Sequence, residues 1–132
     1  RPKDALRRAA SSGAEVDDSA LPFGMLALGL GAPDLAEPLL ARAVSQKPAS
    51  PEAREAHGLA LAQLGRSPQA RAELEAALRL DPSRASACFN LAVLALGEGR
   101  REDARRLLES AVRLRPDYGQ ARELLTKLAG AR

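Results

Sequence analysis

The strongest constraint on what this chain can become is a 34-residue internal period. Pro48, Pro82 and Pro116 are spaced by that step, as are Gly31, Gly65 and Gly99. Ala36, Ala70 and Ala104 follow it, then Leu40, Leu74 and Leu108, then Ala43, Ala77 and Ala111. Fifteen positions held in one register are not coincidence. Repetition at this length means one supersecondary unit stacked on copies of itself. A lone unit cannot bury both its faces, so its neighbours must supply the rest of the core.

The middle unit shows what is repeated. Ser50-Pro51-Glu52 reads as an N-cap, a first-turn proline and an acid at the positive end of the helix dipole. His57, Ala60, Leu61 and Leu64 recur at helical spacing, and Gly65 ends the helix. Ser67-Pro68 is expected to cap a second helix whose buried stripe is Ala70, Leu74, Ala77 and Leu78. Asp81-Pro82 then turns the chain into the next unit. Aromatic residues make up 2% of the chain against 45% apolar residues, so the core must be Leu and Ala. Val is scarce and Ile absent, which leaves little for a sheet. An all-α chain follows.

These residues resemble the tetratricopeptide repeat family, a helix–turn–helix of this same length with a first-helix glycine, A-x3-F in the second helix and a closing proline. The matches are Gly24, Ala36-x3-Leu40 and Pro48; Gly58, Ala70-x3-Leu74 and Pro82; and Ala104-x3-Leu108 and Pro116. Departures leave the spacing intact. The family's first-helix Trp is replaced by Ala20, Arg54 and Cys88, its Tyr by Ala27, Leu61 and Ala95, and its second-helix Phe by Leu throughout. Ala92 stands where the third unit would have glycine. The resemblance implies a right-handed superhelical array of three hairpins, at 17–50, 51–84 and 85–118, closed by a capping helix at 119–132.

At the C-terminus, Asp117 to Ala129 reads as that closing helix, with Leu124, Leu125 and Leu128 on one side and Arg122, Glu123 and Lys127 on the other. Residues 1–16 form an N-terminal segment in which Asp4 to Ala10 is helix-competent. Leu6 and Ala9 fall one period before Leu40 and Ala43, so this is either the remnant of a preceding second helix or a basic tail. Residues 11 to 19 read as a loop. The chain starts at Arg1 without methionine, as expected of a trimmed or processed product.

The resemblance further implies that first helices line a concave groove. The groove stripe comprises Leu21, Met25 and Leu28, then Glu55, Leu59 and Ala62, then Phe89, Val93 and Leu96. Asp18, Glu52 and Ser86 flank one end, and Gly29, Gln63 and Gly97 the other. Asn90 occupies the position that holds a ligand's backbone in the family; its counterparts Pro22 and Ala56 cannot do so. One subclass clamps a terminal carboxylate with Lys, Arg and Asn. With Glu52 and Glu55 in the groove and no Lys facing it, a hydrophobic or weakly basic helix or extended segment is the expected ligand. The alternative is that the stripe is covered by the array itself, by the N-terminal segment or by a fused domain. The first helix, Leu21 to Leu30, is apolar all round and is expected to be covered by something.

Catalytic chemistry finds little footing. His57, the single histidine, has no nucleophile beside it in the pattern, and Cys88 reads as a buried small apolar residue. Even paired, the two would lack two metal ligands. No glycine-rich loop has phosphate-binding spacing, so no cofactor and no small-molecule substrate are expected. The third unit's Arg100, Arg101, Arg105, Arg106 and Arg113 could attract nucleic acid. Glu102 four before Arg106 and Glu109 four before Arg113 suggest surface ion pairs instead, and the net charge is only +3. The longest apolar run, Leu21 to Pro33, is too short and too interrupted to cross a membrane. One cysteine fits the cytosol and the periplasm alike, with the balance slightly toward the cytosol. The expected role is a non-catalytic scaffold for a protein or peptide partner. The alternative is a regulatory or homo-oligomerising module of a larger protein.

Overall fold

The computed structural model describes residues 2–11 and 18–130. They form eight helices: α1 (Pro2–Ser11), α2 (Ala20–Gly29), α3 (Pro33–Gln46), α4 (Pro51–Gln63), α5 (Ser67–Leu80), α6 (Ala85–Gly97), α7 (Arg101–Leu114) and α8 (Gly119–Gly130). No strand occurs among the described residues. Helices α2–α3, α4–α5 and α6–α7 are hairpins; α3 packs on α4, α5 on α6, and α7 on α8. The result is an all-α helical-repeat array.

Each hairpin turns in the same way. Gly31, Gly65 and Gly99 have φ of 70°, 78° and 77°, the left-handed region that a side chain disfavours. Their N–H groups donate to Leu28, Ala62 and Leu96, while those of Ala32, Arg66 and Arg100 reach back to Ala27, Leu61 and Ala95 at 2.8–2.9 Å. These are three Schellman motifs, which satisfy carbonyls that the helix end would otherwise leave orphaned. Helix starts are less uniform. The Ser50 hydroxyl accepts from the Ala53 N–H at 3.2 Å, as expected. Ser67 does not cap α5: it lies inside the helix, Arg66 takes the cap position, and Pro68 supplies the first turn's fixed φ. At the exit from α5, Asp81 accepts from the hydroxyl and then the N–H of Ser83, bonds that hold its carboxyl below the usual range.

Close approach within the hairpins depends on a leucine seated on a glycine. Leu40, Leu74 and Leu108 are wholly buried. A Cβ on Gly24 would lie 2.4 Å from a Leu40 methyl, and one on Gly58 would lie 2.8 Å from Leu74 Cγ and 3.2 Å from the Ala70 carbonyl. In the third hairpin, Ala92 takes this place and is itself fully buried.

The junction between the first two hairpins carries a polar clamp. His57 sits with Nε2 2.8 Å from a Glu37 oxygen on α3 and Nδ1 3.2 Å from a Glu73 oxygen on α5. Arg54 holds the other Glu73 oxygen at 3.0 Å and also donates to the Pro48 carbonyl. Thus His57 is a cross-helix tie as well as a packed residue. The two carboxylates lie at opposite ring nitrogens, so they cannot converge with the imidazole on one metal ion.

At the N-terminus, α1 is helical and buries Leu6 beside Ala36, Leu39 and Leu40. It touches both α2 and α3, whereas α3 and α5, or α5 and α7, share no comparable junction. The segment is therefore a packed helix, though not a regular second helix. Of the expected loop at 11–19, Ser11 ends α1, Asp18 and Ser19 form a turn, and residues 12–17 lie outside the described residues. At the other end, α8 lays Leu124, Leu125 and Leu128 on the cluster formed by Ala104, Leu108, Ala111 and Tyr118, with Arg122, Glu123 and Lys127 turned to solvent.

Candidate peptide-binding groove

The first helices α2, α4 and α6 place the stripe residues unequally. Met25 and Leu28 from α2 meet Ala56 and Leu59 from α4 around an apolar hollow of ≈ 340 Å³. Its polar rim is Glu52, Glu55 and Arg84. Met25 is 53% exposed, so the apolar wall is open to a ligand. Leu21 lies apart, in a smaller hollow of ≈ 180 Å³ with Asp18, Lys47 and Ser50. Val93 is exposed, Asn90 and Leu96 are half-buried and Gln63 is exposed, none of them lining the main hollow.

Two groove residues differ from the expectation. Glu55 is not a free acid: it accepts from Arg84 Nε at 3.0 Å and from the Ser86 hydroxyl at 2.9–3.0 Å. The rim therefore keeps Glu52 as its exposed carboxylate, beside a neutralised Glu55–Arg84 pair. Phe89 is not an open contact residue, because its ring lies 5.3 Å from that of Tyr118, the residue that leads into α8. Arg115 in turn covers the Tyr118 ring at 3.9 Å. The closing helix thereby takes up part of the third unit's groove surface.

Arg84 and Tyr118 were not visible in the groove pattern, although the period itself points to them. They stand 34 and 68 residues after Ser50, at the position just before each first helix. The same place caps a helix in one unit, neutralises a groove acid in the next and buries a groove aromatic in the third. Position was legible there; the residue's task was not.

Elsewhere the structure leaves little reactive chemistry. Burial, and secondarily Glu55, pushes the Cys88 thiol above its ordinary range, away from the thiolate form. Among the described residues, no cluster of three acidic, histidine or cysteine side chains is placed to hold a metal, and no helix is long and apolar enough to cross a membrane. The expected pairs of Arg106 and Arg113 do not form. Arg105 instead takes both carboxylates, Glu102 and, at 3.0 Å, Glu109, while Arg113 donates to Ser110. Arg100 is held by Glu98 and Asp103.

Two family models for the tetratricopeptide repeat match this chain, over residues 61–128 and 21–85. The chain belongs to the tetratricopeptide repeat family. Among solved structures, it superposes on YrrB, a tetratricopeptide repeat protein with an unusual peptide-binding site, with TM-score 0.83 and 32% identity. That match covers 92% of this chain and 63% of YrrB, so the chain spans less than two thirds of that relative. MamA aligns with TM-score 0.83 at 20% identity, covering 95% of this chain and 73% of its own. The first repeat domain of Spaghetti (RPAP3), bound to the HSP90 peptide SRMEEVD, aligns with TM-score 0.79 at 20% identity, covering 90% and 98%. Those last two likenesses concern the fold. No curated protein matches at the sequence level. Within the tetratricopeptide repeat pattern, Arg54 fills the second unit's aromatic slot with a charged group. It has polar partners there, Glu73 and the Pro48 carbonyl.

Proposed function

We propose that this tetratricopeptide repeat chain is a non-catalytic scaffold that holds a short segment of a partner protein in the hollow between α2 and α4. The observation that carries the reading is the open apolar wall of Met25, Leu28 and Leu59 beside the exposed Glu52. Apolar surface of this kind, rimmed by polar groups, is typical of interaction sites. Relatives add support: YrrB has a peptide-binding site and the Spaghetti domain binds a chaperone peptide. The ligand chemistry differs from that acidic peptide. The hollow's one cation, Arg84, is engaged by Glu55, and Glu52 leaves the rim net negative. An aliphatic residue next to a lysine or arginine fits this surface.

We favour this reading over nucleic-acid binding because Arg100, just before α7, and Arg105 on it are each shared between two carboxylates. The test is fluorescence anisotropy with apolar-basic and apolar-acidic peptides. The basic set should bind more tightly, and Leu59→Glu should remove binding by at least tenfold while leaving the helical spectrum unchanged. Equal binding by Leu59→Glu would put the site elsewhere.

A further inference from the structure

Beside the groove, α2 carries a second exposed apolar face, directed outward from the array. Phe23, Leu26 and Leu30 are 41%, 48% and 39% exposed. Their spacing, three and then four residues, makes them one continuous stripe on the helix. The period gives their counterparts: His57, Ala60 and Leu64 on α4, and Leu91, Leu94 and Glu98 at α6. In both later units this face is the junction with the preceding hairpin. Ala60 is fully buried there, and Leu91 and Leu94 are 7% and 9% exposed. The α2 face therefore continues an interface that the chain builds twice. Helix α1 lies alongside, its Lys3, Asp4 and Arg7 bounding a hollow with Leu30, yet it leaves the stripe open.

The chemistry of this face differs from the two internal junctions in one respect. Those junctions carry charge, His57 with Glu37 in the first and Arg71 with Glu98 in the second. At the first unit the corresponding residues are Phe23 and Leu30, and α2 from Ala20 to Gly29 contains no charged residue. A partner meeting this face needs apolar atoms and no compensating charge. The opposite end of the array cannot provide them: on α8, Arg122, Thr126 and Lys127 are exposed and polar. Head-to-tail stacking of copies would set apolar against polar. The same face of a second copy sets apolar against apolar, with no like charges brought together on the paired helices.

We propose that two copies of this chain associate isologously through α2, with Phe23, Leu26 and Leu30 of each copy packed on those of the other across a two-fold axis. The closed symmetry stops growth at the dimer. One short helix per copy offers well under the roughly 800 Å² per partner of a standard stable interface, so the dimer exchanges reversibly with monomer. This surface is separate from the groove, and the two stand or fall independently.

The test is sedimentation equilibrium of the full chain from micromolar to millimolar concentration. The average mass should climb from 13.9 kDa toward twice that value and level there. Leu26→Glu, and independently Phe23→Glu, should hold the mass at monomer with unchanged helical content, while Leu59→Glu in the groove should dimerise like the parent. A parent chain that stays monomeric throughout overturns the proposal. So does open-ended growth beyond the dimer, or a dimer that survives both glutamate substitutions.

Discussion

Gly58 and Gly97 are both helical glycines, yet they answer to different forces. Gly97 has open space where a Cβ would be, whereas Gly58 has Leu74 and the Ala70 carbonyl. Alanine is a better helix former than glycine by about 1 kcal/mol. Gly97→Ala should therefore raise the melting temperature slightly. Gly58→Ala should lower stability by about 1–2 kcal/mol, because forced overpacking outweighs the propensity gain. Thermal unfolding followed by circular dichroism reads both; a stabilised Gly58→Ala would mean that the Leu74 notch is not tight. His57 is a residue whose neighbours the period could not reveal. Its partners Glu37 and Glu73 lie 36 residues apart and are not equivalent positions, so they fall outside any repeat comparison. His57→Ala leaves two largely buried carboxylates short of a partner. It should cost about 1–2 kcal/mol, and a melt within error of the parent would demote the clamp to a surface decoration.

At the scale of elements, the helices were legible because each carries its own start and stop in the sequence. Proline opens α3 and α4, and a left-handed glycine follows α2, α4 and α6. What a helix does with its exposed side was less legible. On α7, Arg106 and Arg113 were expected to take Glu102 and Glu109, but Arg105 takes both, since rotamer freedom lets a long side chain choose between carboxylates one turn away. Phe89 read as an open groove residue because sequence spacing cannot show that the closing segment will fold over it. Tyr118 fills that role with Phe89 beneath and Arg115 above. Tyr118→Ala should cost about 3 kcal/mol and loosen α8, raising amide exchange from Ala121 to Leu128. Exchange unchanged there would show that α8 is held by its leucines alone. The same contact makes Phe89→Glu a poor probe of binding, since it would disturb the array's end along with the groove.

For the whole molecule, the architecture followed from the period, while the groove's working surface did not. Stacking identical units fixes which faces meet, and burial of Ala36, Ala70 and Ala104 could be read directly from their recurrence. The groove depends on the non-recurring residues: Met25 of the first unit beside Leu59 of the second, Glu55 tied to Arg84 in the second, and Phe89 under Tyr118 in the third. Recurrence reports structure, and its breakdown reports where units have diverged.

Because the three hairpin turns share one geometry, they also form a built-in set of matched reporters. The amides of Gly31, Gly65 and Gly99 donate at 3.0–3.1 Å to equivalent carbonyls, so their hydrogen bonds match, and the Glu98 that precedes Gly99, where leucines precede the other two, is what sets its intrinsic rate apart. Once that neighbour is allowed for, a difference in their exchange with deuterium measures how often each unit opens. Gly65, flanked by hairpins on both sides, should be the slowest of the three and Gly31 the fastest. Three peaks in one spectrum would then read out the breathing of the array from end to end. Equal rates at all three would instead mean that it opens only as a single body.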